Sequence, residues 1–216
     1  LDTKIMQPYT LAVIVPFSNQ FRRDVPALYK QLVSRLPLAL AQKFDATVFG
    51  GVTAPGSNFD TLKGCTAQEI GTDAYAGLVA ADADIADHNG ILNGWVLSPK
   101  GKALLLNAVD ANKRPLFINS VAEGAVPMIL GSKTLQSKGA YVSGTPNVVG
   151  FAGDWTQAMY GTVEGVQIAI ADQATLQDGE NTINLFQQNM FAVRAEIEVG
   201  FRCDTTVFNK LTKAAG

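Results

Sequence analysis

Arg194, Glu196 and Glu198 are the most conspicuous group in the chain that could do chemistry. Two carboxylates two positions apart, with an arginine beside them, could be an acid pair for catalysis. Charges spaced this way along a strand more often meet solvent or opposite charges on a neighbouring molecule, where they set register. The single histidine, His88, has no G-x-S-x-G elbow to serve. Followed by Asn89-Gly90, it reads as a helix-ending residue whose imidazole suits the terminal dipole. In Gly131-Ser132-Lys133-Thr134, Ser132 breaks the glycine-lysine order that a phosphate loop requires. Asp82, Asp84 and Asp87 have helical spacing and lack the closing glutamate of a calcium loop, and no Cys/His cluster is spaced for zinc. Cys65 and Cys203 read as reduced, partly buried thiols. No cofactor is implied. The side chains describe an interaction or structural protein, with a small-molecule hydrolase using Glu196 or His88 as the enzymatic alternative.

The acidic pair belongs to a long strand. From Met190 to Phe201 the residues alternate, with Phe191, Val193, Ala195, Ile197, Val199 and Phe201 on one face and Met190, Ala192, Arg194, Glu196 and Glu198 on the other. At about 3.3 Å per residue this run spans roughly 35–40 Å, so it needs a long partner beneath it. A first strand is expected over Tyr9 to Phe17, then a turn at Ser18-Asn19. Asp24 before Val25-Pro26 is a helix-start signature. Leu28, Leu32, Leu36, Leu40, Phe44 and Val48 recur every fourth residue up to Gly50-Gly51, a one-sided helix of about 24 residues and roughly 36 Å. Pro37 falls inside it and removes one helical bond.

Further along, Thr72 is the expected cap of a helix through Leu78, Val79, Ala81, Asp82 and Ile85. Gly94 to Leu97 reads as a buried strand, and Ser98-Pro99 opens a second helix. Asp110 to Glu123 reads as a surface hairpin or loop, and Val126–Leu130, Val148–Ala152 and Val166–Ile170 as strands. Asp172 to Glu180 reads as a polar link, and Thr205 to Leu211 as a closing strand. The loop from Val52 to Gly64 and the link near Asp178 bracket a central unit inserted into a first domain.

Composition sets bounds on the whole. The 216 residues are 47% hydrophobic and 17% charged, enough for a core that buries about 70% of the unfolded surface. A formal net charge of −2 argues against a protein that grips bare nucleic acid. No run of about 18 apolar residues would span a bilayer, so a soluble chain is expected. The first residue is Leu1, so the chain is expected to begin downstream of its gene's start.

Taken in order, these residues resemble the major capsid proteins of tailed bacteriophages, which share the Hong Kong phage capsid fold. The resemblance runs through Pro16-Phe17-Ser18-Asn19 with Asp24, Gly50-Gly51, Trp95-Val96-Leu97-Ser98-Pro99, and Asp110 with Arg114-Pro115-Leu116. It continues through Gly153-Asp154-Trp155 with Gly161, Asn184-Leu185-Phe186, Arg194-Ala195-Glu196 with Gly200-Phe201, and Phe208 to Thr212. Lys113 stands where the family often has glycine, and Pro37 interrupts the family's spine helix.

The resemblance implies an α+β capsid fold. A discontinuous peripheral domain (1–64 and 178–216) would carry a spine helix over 25–49 and long antiparallel strands, with 1–9 as the remnant of an extended loop. An axial α/β domain would occupy 65–177. It implies a head subunit that assembles with its copies into pentamers and hexamers of an icosahedral shell around double-stranded DNA, formed in the host bacterial cytoplasm. Scaffold, portal and maturation protease are the implied partners, with neither a membrane nor tight DNA binding. Subunit contacts are expected at Arg194, Glu196, Glu198, Lys113 and Arg114. In some relatives a lysine, an asparagine and a glutamate form an isopeptide crosslink between subunits, and Lys4, Asn189 and Glu196 lie near the corresponding places. An encapsulin-type bacterial compartment of the same fold is the nearest alternative.

Overall fold

The computed structural model describes residues 5–24, 26–110, 112–117, 128–179 and 181–213. In chain order the elements are β1 (Tyr9–Ser18), α1 (Asn19–Asp24), α2 (Pro26–Val48), β2 (Thr66–Glu69), α3 (Ala74–Asp87), β3 (Gly94–Leu97), α4 (Pro99–Leu106), β4 (Met128–Ile129), β5 (Ser132–Gln136), β6 (Asn147–Gly153), β7 (Ala158–Thr162), β8 (Gln167–Ala171), β9 (Thr175–Asp178), β10 (Asn181–Asn184), β11 (Met190–Cys203) and β12 (Phe208–Lys213). Helices and sheets are mixed, as an α+β fold requires. Among the described residues no helix is long and apolar enough to cross a membrane.

One compact unit holds residues 8–44 and 161–200. Its frame is β11, and the long partner is the chain's own first strand. β1 runs antiparallel to β11 without a break from Tyr9↔Val199 to Ser18↔Met190. Alternation turns Phe191, Val193, Ala195 and Val199 into the core, where they join Leu36 and Leu40 of α2. Tyr29, Val33 and Phe44 extend the helix side of that contact. Phe17, Tyr29 and Phe191 close on one another with ring centroids 5.7–6.1 Å apart, a favourable aromatic spacing. Pro37 lies within α2 on its exposed side, where water can take the bond its missing N–H leaves.

Two local expectations change in this unit. Ser18-Asn19 does not simply turn: the Ser18 hydroxyl accepts the Phe21 N–H at 3.1 Å and so caps the short helix α1. Val25, expected to follow the capping Asp24, lies outside the described residues. The segment Asp172 to Glu180 is more than a link, because it contains β9, paired with β10 from Thr175↔Asn184 to Asp178↔Asn181. Asp178-Gly179 is a strong short-range hairpin signal, which the polar composition of the segment masks, and Gly179 takes φ +60.

The other unit holds, of the described residues, 5–7, 45–160 and 201–213. Its six-stranded sheet has the order β2-β12-β6-β3-β5-β4. Ile70, Leu78, Ala81, Ile85, Trp95, Leu97, Leu105 and Leu211 form the core between that sheet and α3 and α4. The Asp73 carboxylate accepts the Ala76 N–H at 3.0 Å and caps α3. Thr72, the expected cap, lies one residue early and gives its own N–H to Glu69. Ser98 caps α4 as expected: its buried hydroxyl accepts the Gly101 N–H at 3.0 Å and donates to the Val149 carbonyl at 2.7 Å.

The region around Gly131 is a hairpin. Leu130 and Gly131, at φ 47 and 81, join β4 to β5 through a two-residue turn with both central φ positive. Of the strand expected at Val126 to Leu130, residues 126–127 lie outside the described residues. The chain's final strand, β12, lies between β2 and β6. The compact units divide near residues 7, 44, 160 and 200.

Candidate functional site

Arg194, Glu196 and Glu198 stand on the polar side of β11. Opposite them on β1 are Ile14, Ala12 and Thr10, and on β8 Ala169 and Gln167 face Arg194 and Glu196. The Arg194 guanidinium is bonded to the Glu196 carboxylate, whose side chain is 29% exposed. Glu198 is exposed. A solvated pair of this kind contributes about 0–1 kcal/mol to folding. What the arrangement offers is an ordered charge pattern for another surface.

Lys113 and Arg114 are exposed. Asp110 organises their loop: its Oδ1 accepts the N–H groups of Asn112 and Arg114, each at 2.8 Å, and its Oδ2 lies 3.5 Å from Arg114 Nε. A bridge between Val109 and Pro115 closes the loop. Lys113 sits at φ 62, a left-handed conformation that glycine adopts without a Cβ penalty. Lys113→Gly is expected to stabilise the chain by about 0.5–1 kcal/mol. Thermal unfolding would read this as a rise of about 1–4 °C, and a fall would mean that the lysine side chain contributes a contact.

Asp154, within the Gly153-Asp154-Trp155 motif, is a buried knot that charge patterning does not single out. It accepts hydrogen bonds from the Asn93 side-chain amide at 2.8 Å, the Thr156 hydroxyl at 2.6 Å and the N–H groups of Thr156 and Ile91, both at 3.1 Å. Asp204 repeats the Asp-x-Thr turn with Thr206, whose hydroxyl lies at 2.7 Å. The two turns also clasp each other, since the Asp154 N–H donates to the Val207 carbonyl and the Asp204 N–H to the Gln157 carbonyl. The sequence signal is the repeated Asp-x-Thr.

The Thr156 hydroxyl, followed by the Ile91 and Thr156 amides and the Asn93 side chain, holds the Asp154 carboxyl below the usual carboxylate range despite its burial. Because the folded pKa is the lower one, the charged group stabilises the fold above the unfolded pKa and loses that effect as pH falls through the folded value. Below about pH 4, the wild-type melting temperature is expected to fall more steeply than that of Asp154→Asn. Parallel acid limbs in a pH series of thermal melts would contradict this.

The remaining candidates lie apart where they are described. Lys4 lies outside the described residues. Asn189 is exposed at φ 52 in the turn before β11, and its carbonyl oxygens accept the side-chain amide and the N–H of Asn19 at 3.0 and 3.1 Å. Glu196 is about 20 Å further along the strand, so only separate copies could bring them together. His88 Nδ1 lies 2.7 Å from the Asp84 carbonyl, at the end of α3. Both cysteines are free and buried, and burial pushes the Cys65 thiol up to about 12. Among the described residues no cluster of three or more His, Cys, Asp or Glu could hold a metal ion.

With its long strand pair packed on α2 and its six-stranded sheet, the chain has the fold of phage capsid proteins. A solved structure from Gordonia phage Cozz aligns over 98% of this chain and 71% of its own, with a TM-score of 0.79 at 18% identity. The model of the phage capsid family matches residues 1–205, and the chain belongs to that family. It is 32% identical to "Probable major capsid protein gp17" of Mycobacterium phage L5, over 98% of this chain and 71% of the relative. The namesake protein of Mycobacterium phage D29 is 31% identical over the same shares. The family is structural, and its members are parts of the virion.

Proposed function

We propose that this chain is the major head subunit of a phage, closing with its copies as pentamers and hexamers into an icosahedral shell around double-stranded DNA. Membership of the phage capsid family across residues 1–205 carries the reading. The unit built on β11, β1 and α2 corresponds in this reading to a peripheral domain and the six-stranded unit to an axial domain. Arg194, Glu196, Glu198, Lys113 and Arg114 act as contact residues between copies. A net charge of −2 suits a wall that contains DNA without gripping it. Assembly takes place in the host cytoplasm with scaffold, portal and protease. A cargo compartment draws no support from the relatives described above, which are phage proteins. Negative-stain microscopy of the complete gene product, expressed with scaffold and protease, tests the proposal: shells or capsomers support it, and monomers alone overturn it.

A covalent bond between copies is a separate, finer proposal. The Lys4 amine would attack the side-chain amide carbon of Asn189, ammonia would leave, and Glu196 would take the amine proton. The exposure of Asn189 supports it, while the Arg194–Glu196 pair would have to open first. A denaturing gel of mature particles decides: a ladder of linked chains establishes the bond, and free monomer alone removes it.

A further inference from the structure

We propose that β8 is an interface strand, at which two copies of this chain pair edge to edge about a two-fold axis. The shell reading supplies the copies, and the inference rests on it to that extent. β8 pairs with β11 along one edge, from Gln167↔Glu196 to Ala171↔Ala192. Among the described residues no strand pairs with its other edge. All five residues, Gln-Ile-Ala-Ile-Ala, are exposed. Ile168 and Ile170 are 46% and 56% exposed, although Ala195 and Val193, which stand opposite them, are fully buried. A neutral, β-branched edge with unpaired N–H and C=O groups is a template for another strand, and single chains blunt such edges with charge, proline or a bulge. The same sheet shows the contrast. β1, at its far edge, contains Pro16, which can only sit where its missing donor faces outward. β8 has no such guard.

An extended segment is the complement of an unpaired row of backbone groups, and β8 is well suited to be its own partner. Antiparallel pairing centred on Ala169 sets Ile168 opposite Ile170 of the partner subunit and Gln167 opposite Ala171 of the partner subunit. No charge then faces a like charge, and four isoleucines close on one another. The flanking acids stay apart, because Glu164 falls opposite Ala174 of the partner subunit and Asp172 opposite Val166 of the partner subunit. Pairing with β1 of another copy would be broken at Pro16.

The geometry has a direct test. At the centre of an antiparallel pair the two Ala169 Cα atoms lie about 4.5–5.5 Å apart in either hydrogen-bonding phase, within disulfide reach. Ala169→Cys in the complete gene product should assemble under reducing conditions as the wild type does. After mild oxidation of the particles it should give a dimer band on a non-reducing gel, with mass spectrometry showing the residue-169 peptide joined to itself. Wild type, whose own thiols are buried, should gain no new band on oxidation. The double variant Ile168→Lys/Ile170→Lys should raise the protein concentration needed for assembly at least tenfold. Shells in which Ala169→Cys stays monomeric, or links to Cys65 or Cys203 instead, would overturn the pairing and leave the shell reading intact. If wild type forms no shells, the shell reading falls separately. The same oxidation of concentrated protein then decides the pairing, with a monomer counting against it.

Discussion

Arg202→Ala is expected to destabilise the chain by about 3 kcal/mol, seen as a fall of about 6–12 °C in thermal unfolding. The Arg202 side chain is only 15% exposed, and its guanidinium serves three acceptors at once. Nη1 donates to the Asp60 carboxylate at 2.8 Å, Nη2 to Asn58 Oδ1 at 2.9 Å and Nε to the Ile5 carbonyl at 2.8 Å. The other Asp60 oxygen accepts the Cys203 N–H at 3.1 Å. Removing the cation leaves a largely buried carboxylate without it, and that penalty makes such losses large. Arg194→Ala, by comparison, removes a half-exposed partner of Glu196, worth about 0–1 kcal/mol. Arg202→Lys should recover only part of the stability, because one ammonium cannot reproduce a planar fork reaching three groups. Hydrogen exchange at residues 5–7 should quicken in both Arg202 variants. A fall below 2 °C for Arg202→Ala would mean that water replaces the guanidinium at little cost.

Gly77→Ala is the second large effect, and its sign runs against helix propensity. At an exposed helical site alanine in place of glycine gains about 1 kcal/mol. Here a Cβ would lie 2.1 Å from the backbone oxygen of Glu69 and 2.8 Å from Ile70 Cγ2. Either α3 or β2 must move, and overpacking of this kind costs about 1–3 kcal/mol or more. Because a backbone oxygen cannot swing aside as a side chain can, a net loss of about 2 kcal/mol is expected, roughly 4–8 °C in melting temperature. Gly101 meets the same constraint in α4, where a Cβ would fall 2.3 Å from the Val149 oxygen. Gly64 is the control: nothing lies within 4 Å of its Cβ position, so Gly64→Ala should change stability by less than about 0.5 kcal/mol. If Gly77→Ala proved as harmless as Gly64→Ala, α3 would not be seated on the β2 backbone.

Much of the frame was legible in the residues. Period-two alternation from Met190 to Phe201 put Phe191, Val193, Ala195 and Val199 in the core of β11 but left out Ala192, which is buried too, the four-residue spacing from Leu28 to Val48 identified α2, and Ser98-Pro99 marked the start of α4. These signals are local: each rests on side chains within a turn or two of one another, whose preferences hold before the chain has folded. Asp178-Gly179 was equally local, and lay hidden because its surroundings read as a polar link, while Leu130-Gly131 was divided between an expected strand ending at Leu130 and the phosphate-loop comparison beginning at Gly131. The candidate surface was legible in the same partial way. Alternation put Arg194, Glu196 and Glu198 on one face, but Arg202 belongs to that face too, and nothing near it in sequence says that Asn58 and Asp60 cover it. Only the tertiary structure decided that coverage, as it decided that β12 runs between β2 and β6, that Gly77 and Gly101 press on carbonyls, and that among the described residues no strand pairs with the second edge of β8. Each depends on segments far apart in the chain, and their interaction has no energy until both are in place.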